Sequence, residues 1–154
     1  MRYHKIINCS VVDGVKVRCT LYLSGCNHHC KGCHNPETWD FNGGLEFDEK
    51  AKEELFSYLS LPYIDGVTIS GGDPMDSYND VLQLVLEIKE KFPTKTIWVY
   101  TGYTLEQLIE ASKEAILDHI DVLVDGEYVE ELRDITLAFR GSSNQRVLVK
   151  GKDF

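Results

Sequence analysis

The sequence has no run of about eighteen apolar residues, the length a membrane-spanning helix needs, and its opening stretch MRYHKIINCS lacks the apolar core of a secretory leader. The expectation is a cytoplasmic protein with no membrane partner. Positive charge is also short. Sixteen Lys and Arg stand against 25 Asp and Glu, a formal net charge of -9 that repels phosphates and argues against a nucleic-acid partner. Proline is scarce, with four residues, and no Pro/Gly/Ser-rich tract marks a linker or a disordered segment. With 154 residues, 43% of them hydrophobic, residues 1–154 read as one globular domain with a real core.

Five cysteines is an odd number, and three of them cluster. In a reducing compartment that pattern favours metal or redox chemistry over disulfides. CNHHCKGCHN, residues 26–35, places Cys26, Cys30 and Cys33 at C-x3-C-x2-C spacing, so one short loop can wrap three thiolates round a metal or a cluster. Two chemistries fit. A structural zinc would take His28, His29 or His34 as a fourth ligand and fold a docking module. A [4Fe-4S] cluster bound through only three cysteines would leave one iron open to a substrate or cofactor. Cys19 falls on the apolar face of a strand with Val17, Leu21 and Leu23, which suits a buried hydrophobe better than a ligand. Cys9 carries no pattern that assigns it.

Strand and helix signals alternate along the chain. Val17–Leu23 has the period of a half-buried strand and runs into the cysteine loop. Asp48 caps an amphipathic segment with Ala51, Leu55 and Leu59 in register. Val67–Ile69 then leads into SGGDP, Val81, Val85, Ile88 and Phe92 mark a second helix before Pro93, and Ile97–Tyr100 is the next strand. Thr104 and Gln107 have capping-box spacing, followed by strands at Ile120–Val124 and Val147–Val149. About five mostly parallel strands are expected, in an α/β fold whose ligand site lies beyond the carboxyl ends of the strands. The cysteine loop, SGGDP and TGY all fall there. In SGGDP the glycines let backbone approach a ligand closely, and carbonyls at the strand end can accept from an ammonium group.

Cys26, Cys30 and Cys33 followed by Gly71-Gly72-Asp73 resemble the motif pair of the radical S-adenosylmethionine enzymes, a C-x3-C-x2-C loop and a GGE-type turn. Further stretches, RCTLYLSGC, CHNPETW, GVTISGGDP, IWVYTGY, VLVDGEY and RGSSNQR, are similar to the activating proteins of glycyl-radical enzymes. Among these the chain looks most like the branch serving the anaerobic (class III) ribonucleoside-triphosphate reductase. The resemblance implies a partial (β/α) barrel and a [4Fe-4S] cluster on Cys26, Cys30 and Cys33 whose open iron is chelated by S-adenosyl-L-methionine. Reductive cleavage of that cofactor would yield a 5'-deoxyadenosyl radical that takes hydrogen from a glycine of the large catalytic subunit of the reductase, with electrons from a low-potential donor such as reduced flavodoxin. An activase of another glycyl-radical enzyme is the neighbouring alternative.

The resemblance also implies that Ser70, Gly71 and Gly72 contact the methionine ammonium, that Asp73 is either its acidic partner or a stabiliser of the turn, that Gly32 and His34 touch the adenine, and that Thr101 and Gly102 line the ribose or methionine pocket. Trp39 and Trp98 read as packing residues. Arg140–Arg146 reads as a surface turn that could instead line the cofactor site or dock the reductase. Two departures stand out: Gly32 replaces the aromatic residue that often precedes the last cysteine, and Asp13-Gly14-Val15-Lys16 stands where related activators carry Gly-Pro-Gly.

Overall fold

A computed structural model describes the whole chain, Met1 to Phe154. Seven strands form one open sheet in the order β3-β1-β2-β4-β5-β6-β7, comprising β1 (Arg2–Ser10), β2 (Arg18–Leu23), β3 (Leu45–Glu46), β4 (Gly66–Gly71), β5 (Thr96–Tyr100), β6 (Val122–Asp125) and β7 (Arg146–Val149). The central four, β2, β4, β5 and β6, run parallel. At the edges β1 pairs antiparallel with β2 and β3, and β7 with β6. The sheet therefore has two strands, β1 and β3, beyond the five expected. No helix is long and apolar enough to cross a membrane.

Three helices provide crossovers between the parallel strands: α1 (Glu49–Leu59), α2 (Tyr78–Lys91) and α3 (Leu105–Glu110). The Asp48 carboxylate accepts from the Ala51 amide and starts α1. Thr104 and Gln107 complete a reciprocal capping box at α3.

The period-2 alternation of each strand divides the sheet into two unlike faces. Cys19, Leu21 and Leu23 of β2, Val67 and Ile69 of β4, Ile97 and Val99 of β5 and Leu123 of β6 enter the main core with Leu55 and Leu59 of α1 and Val81, Val85 and Ile88 of α2. Each fully buried Leu or Ile there contributes about 1.5–3 kcal/mol. Trp98, Val122 and Val124 form a second, smaller cluster with Phe139 and Val147.

Arg18, Thr20 and Tyr22 alternate with the core residues of β2 and share this second, more polar face with Thr68, the Arg18 guanidinium bonding the Thr68 hydroxyl. The connection from β1 to β2 folds back beneath it. The Asp13 carboxylate accepts from the hydroxyls of Ser10, Thr20 and Tyr22 at 3.0, 3.1 and 3.0 Å. Asp13, from the stretch that replaces Gly-Pro-Gly, lines the cavity described next.

Candidate functional site

A cavity of about 440 Å³ opens at the carboxyl ends of β2, β4, β5 and β6, where an α/β sheet gathers its ligand-binding loops. Its volume falls in the range of small-molecule and cofactor sites. Cys26, Cys30, Cys33 and His34 line it from the cysteine loop, Ser70 and Gly71 from the end of β4, Gly72 and Asp73 from the turn that follows, and Thr101 and Gly102 from the turn after β5. Of the residues assigned to the cluster or the cofactor in the sequence, Gly32 alone lies outside the lining. It is exposed, and the Glu130 carboxylate occupies the space a side chain there would take, with Oε2 1.4 Å from an ideal β-carbon.

The cysteine loop and the GGD turn are fixed to each other by main chain. The Gly72 amide donates to the Leu23 carbonyl at 2.9 Å and the Asp73 amide to the Gly25 carbonyl at 2.7 Å. A β-carbon at Gly72 would lie 2.3 Å from the Gly25 carbonyl oxygen, so only glycine permits this approach.

Asp73 is 1% exposed. Its carboxylate accepts from the Met75 amide at 2.9 Å, the Thr101 hydroxyl at 2.8 Å, the Gly102 amide at 2.8 Å and His28 Nε2 at 2.6 Å. These protein donors fill its acceptor positions, so in this fold the carboxylate organises the turn.

Cys26 is buried, and Cys30 and Cys33 are half-buried. Burial pushes the Cys26 thiol up to about 11, while the amides of His28 and His29 oppose the shift. Burial also raises the Cys30 thiol, opposed by the Tyr128 amide and its own. The Asn35 amide donates to Cys33 Sγ at 3.4 Å. Cys33 Sγ thus accepts a backbone N–H, the kind of donor that stabilises a metal-bound thiolate and tunes a cluster. The residues fit an iron–sulfur centre. The one set of three or more potential ligand atoms within 4.8 Å of one another is Cys26, His28 and Asp76, and the three loop sulfurs do not form such a set.

Two further features were hidden in the sequence. Trp39 lines the cavity and stacks on His29 at 4.6 Å with the ring planes 8° apart. Trp98, by contrast, packs in the small apolar cluster. Within the lining, Trp39 Nε1 and Arg140 Nε are buried without a hydrogen-bond partner, as donors that await a ligand are. The Arg140–Arg146 turn lines the cavity through Arg140, Gly141 and Gln145, and it grips the segment after β6. Ser142 Oγ accepts from the Val129 amide, Asn144 donates to the Glu127 carbonyl, and Gln145 donates to the Gly126 carbonyl. Asp125, fully buried, holds Arg146 and accepts from the Leu105 amide.

Comparison with known proteins bears on this geometry directly. A family model described as a 4Fe-4S single cluster domain matches residues 12–148. The anaerobic ribonucleoside-triphosphate reductase-activating protein of Salmonella typhimurium is 44% identical over 151 residues, covering 96% of this chain and 97% of that protein. The chain belongs to this 4Fe-4S family of reductase-activating proteins. The member of the same name from Escherichia coli K12 is 43% identical over 96% of this chain and 97% of its own. That of phage T4 is 40% identical over 96% of this chain and 93% of its own. Membership supports an iron–sulfur cofactor, and in the matched region the only clustered cysteines are those facing the cavity.

Proposed function

We propose that the chain activates an anaerobic ribonucleoside-triphosphate reductase as a radical S-adenosylmethionine enzyme. It would act through a [4Fe-4S] cluster on Cys26, Cys30 and Cys33, in an open, partial-barrel arrangement of the sheet. The observation that carries the reading is three cavity-facing thiols sharing one cavity with Ser70–Asp73 and Thr101.

When bound, the cluster would supply the one-electron reduction of S-adenosyl-L-methionine that the radical chemistry on the reductase glycine requires. The chain's own residues bind and orient. Cys26, Cys30 and Cys33 would hold the cluster, leaving it a coordination position for the cofactor's methionine end. Ser70, Gly71 and Gly72 present strand-end backbone to the ammonium, made accessible by the two glycines. Asp73 holds this turn in place through its bonds to Thr101, Gly102 and His28. His34 and Trp39 offer ring faces in the cavity, and the Arg140 and Trp39 N–H groups offer donors to polar atoms of the cofactor.

The test is an anaerobic EPR spectrum of the iron- and sulfide-reconstituted, dithionite-reduced chain with and without S-adenosyl-L-methionine. A [4Fe-4S]+ signal that shifts on addition of the cofactor is expected, and the reductase should then acquire a glycyl-radical signal when the two proteins are mixed. Zinc uptake with no such signal would overturn the reading. A cofactor-sensitive cluster that leaves the reductase unmodified would transfer the activity to another glycyl-radical partner.

A further inference from the structure

We propose that His28 is a positioning residue that latches the cysteine loop to two other segments of the chain, the turn after β4 through Asp73 and the segment after β6 through Glu127. His28 stands between Cys26 and Cys30, and its side chain is 8% exposed. Nε2 lies 2.6 Å from Asp73 Oδ2 and Nδ1 lies 2.6 Å from Glu127 Oε1. A packed histidine with no further task needs one partner. This one has a carboxylate at each nitrogen, and with both ring N–H groups donating it joins residues 45 and 99 positions away.

The surroundings are shaped to seat the ring. A β-carbon at Gly102 would fall 2.7 Å from His28 Nε2, so glycine at that position makes room. The Tyr103 ring forms the opposite wall at 4.4 Å between centroids. Each anchor is itself fixed. Asp73 is held by Met75, Thr101 and Gly102, and the main chain of Glu127 is held by Asn144, with Gly126 held by Gln145.

The latch reaches the sulfurs through main chain. His28 stands two residues from both Cys26 and Cys30, so its tie to Glu127 fixes the loop against the segment after β6, and its tie to Asp73 sets the loop against the GGD turn. Partners one shell out from a metal ligand change metal retention about 10- to 100-fold when removed. The inference rests on the reading that Cys26, Cys30 and Cys33 carry the cluster, and its test is built to fail separately.

Four variants decide it: His28→Ala, Glu127→Ala, Glu127→Gln and the His28→Ala/Glu127→Ala double. Glu127 is exposed, so its variants fold even where His28→Ala does not. Iron release to a chelator from the reconstituted protein should be about 10-fold or more faster in His28→Ala. It should be faster in Glu127→Ala, restored in Glu127→Gln, whose amide oxygen still accepts from Nδ1–H, and no faster in the double variant than in His28→Ala. Hydrogen exchange of residues 26–33 in the metal-free chain should rise in the same order. Wild-type iron release or wild-type exchange in Glu127→Ala overturns the latch. A wild-type chain that takes up no cluster overturns the proposed function instead, and the exchange measurement still decides the latch.

Discussion

Arg18, where β2 begins, and Asp73, just beyond β4, are charged side chains buried at opposite ends of the parallel sheet, at 0% and 1% exposure. Both are fully engaged. The Arg18 guanidinium donates to Thr68, Val15, Asp65, Thr96 and Val67, and lies 5.5 Å from the Trp98 ring. The difference lies in their neighbourhoods. No unpartnered buried side-chain atom lies on Arg18 or its partners, whereas the cavity beside Asp73 keeps three thiols and two unpaired N–H donors. The same physics, a buried charge needing partners, has been satisfied within the strands at one end. At the other it organises a site with bonding capacity left over. Saturation marks structure, and surplus marks where a ligand belongs.

Breaking the saturated end should have the largest effect on stability. Arg18→Ala takes donors from the Val67 and Thr96 carbonyls and the Thr68 hydroxyl and empties a fully buried site, while Asp65 keeps the Thr96 hydroxyl and Lys16, so the expected loss is about 3 kcal/mol. Urea unfolding of the metal-free chain measures it. The folded fraction should still take up iron to the wild-type level, because Arg18 touches none of the cavity thiols. A loss below about 1 kcal/mol would remove the distinction, since it would place Arg18 among ordinary surface charges. Thr101→Val comes next. It removes one donor from Asp73 but leaves three, so the expected cost is about 1 kcal/mol.

The two ends were not equally legible in sequence. The cysteine trio and the GGD turn are short local patterns, and the alternation of β2, β4 and β5 is regular enough to show which residues face the helices. β1 was hidden because its exposure pattern does not alternate and its pairing with β2 slips twice, between Tyr3 and Lys5 and between Ile7 and Ser10. β3, at two residues, carries no period at all. The Asp73 hub escaped for a different reason: its ties to Thr101 and His28 span 28 and 45 residues, and His28 reaches Glu127 across 99. Local spacing shows which residues share a loop, and only the fold shows which loops share a residue. Arg140–Arg146 illustrates the same limit, since a polar turn in sequence becomes the support of the segment after β6 once Ser142, Asn144 and Gln145 find their acceptors and donors.

The smallest expected effect on stability is also the sharpest test of the comparison. Cys30 is half-buried, belongs to no regular element, and lies outside the apolar core. Cys30→Ser should therefore shift the unfolding free energy of the metal-free chain by about 0.5 kcal/mol or less. Chemically the exchange is severe, because a serine hydroxyl stays protonated where a thiol gives the soft thiolate that iron–sulfur clusters require. The expected result is a folded chain whose reconstituted, reduced sample has lost the [4Fe-4S]+ EPR signal. Were Cys30→Ser instead to cost the metal-free chain as much as Arg18→Ala, the cysteine loop would be part of the scaffold in the same sense as Arg18. The surplus of bonding capacity at this end of the sheet would then no longer distinguish site from structure.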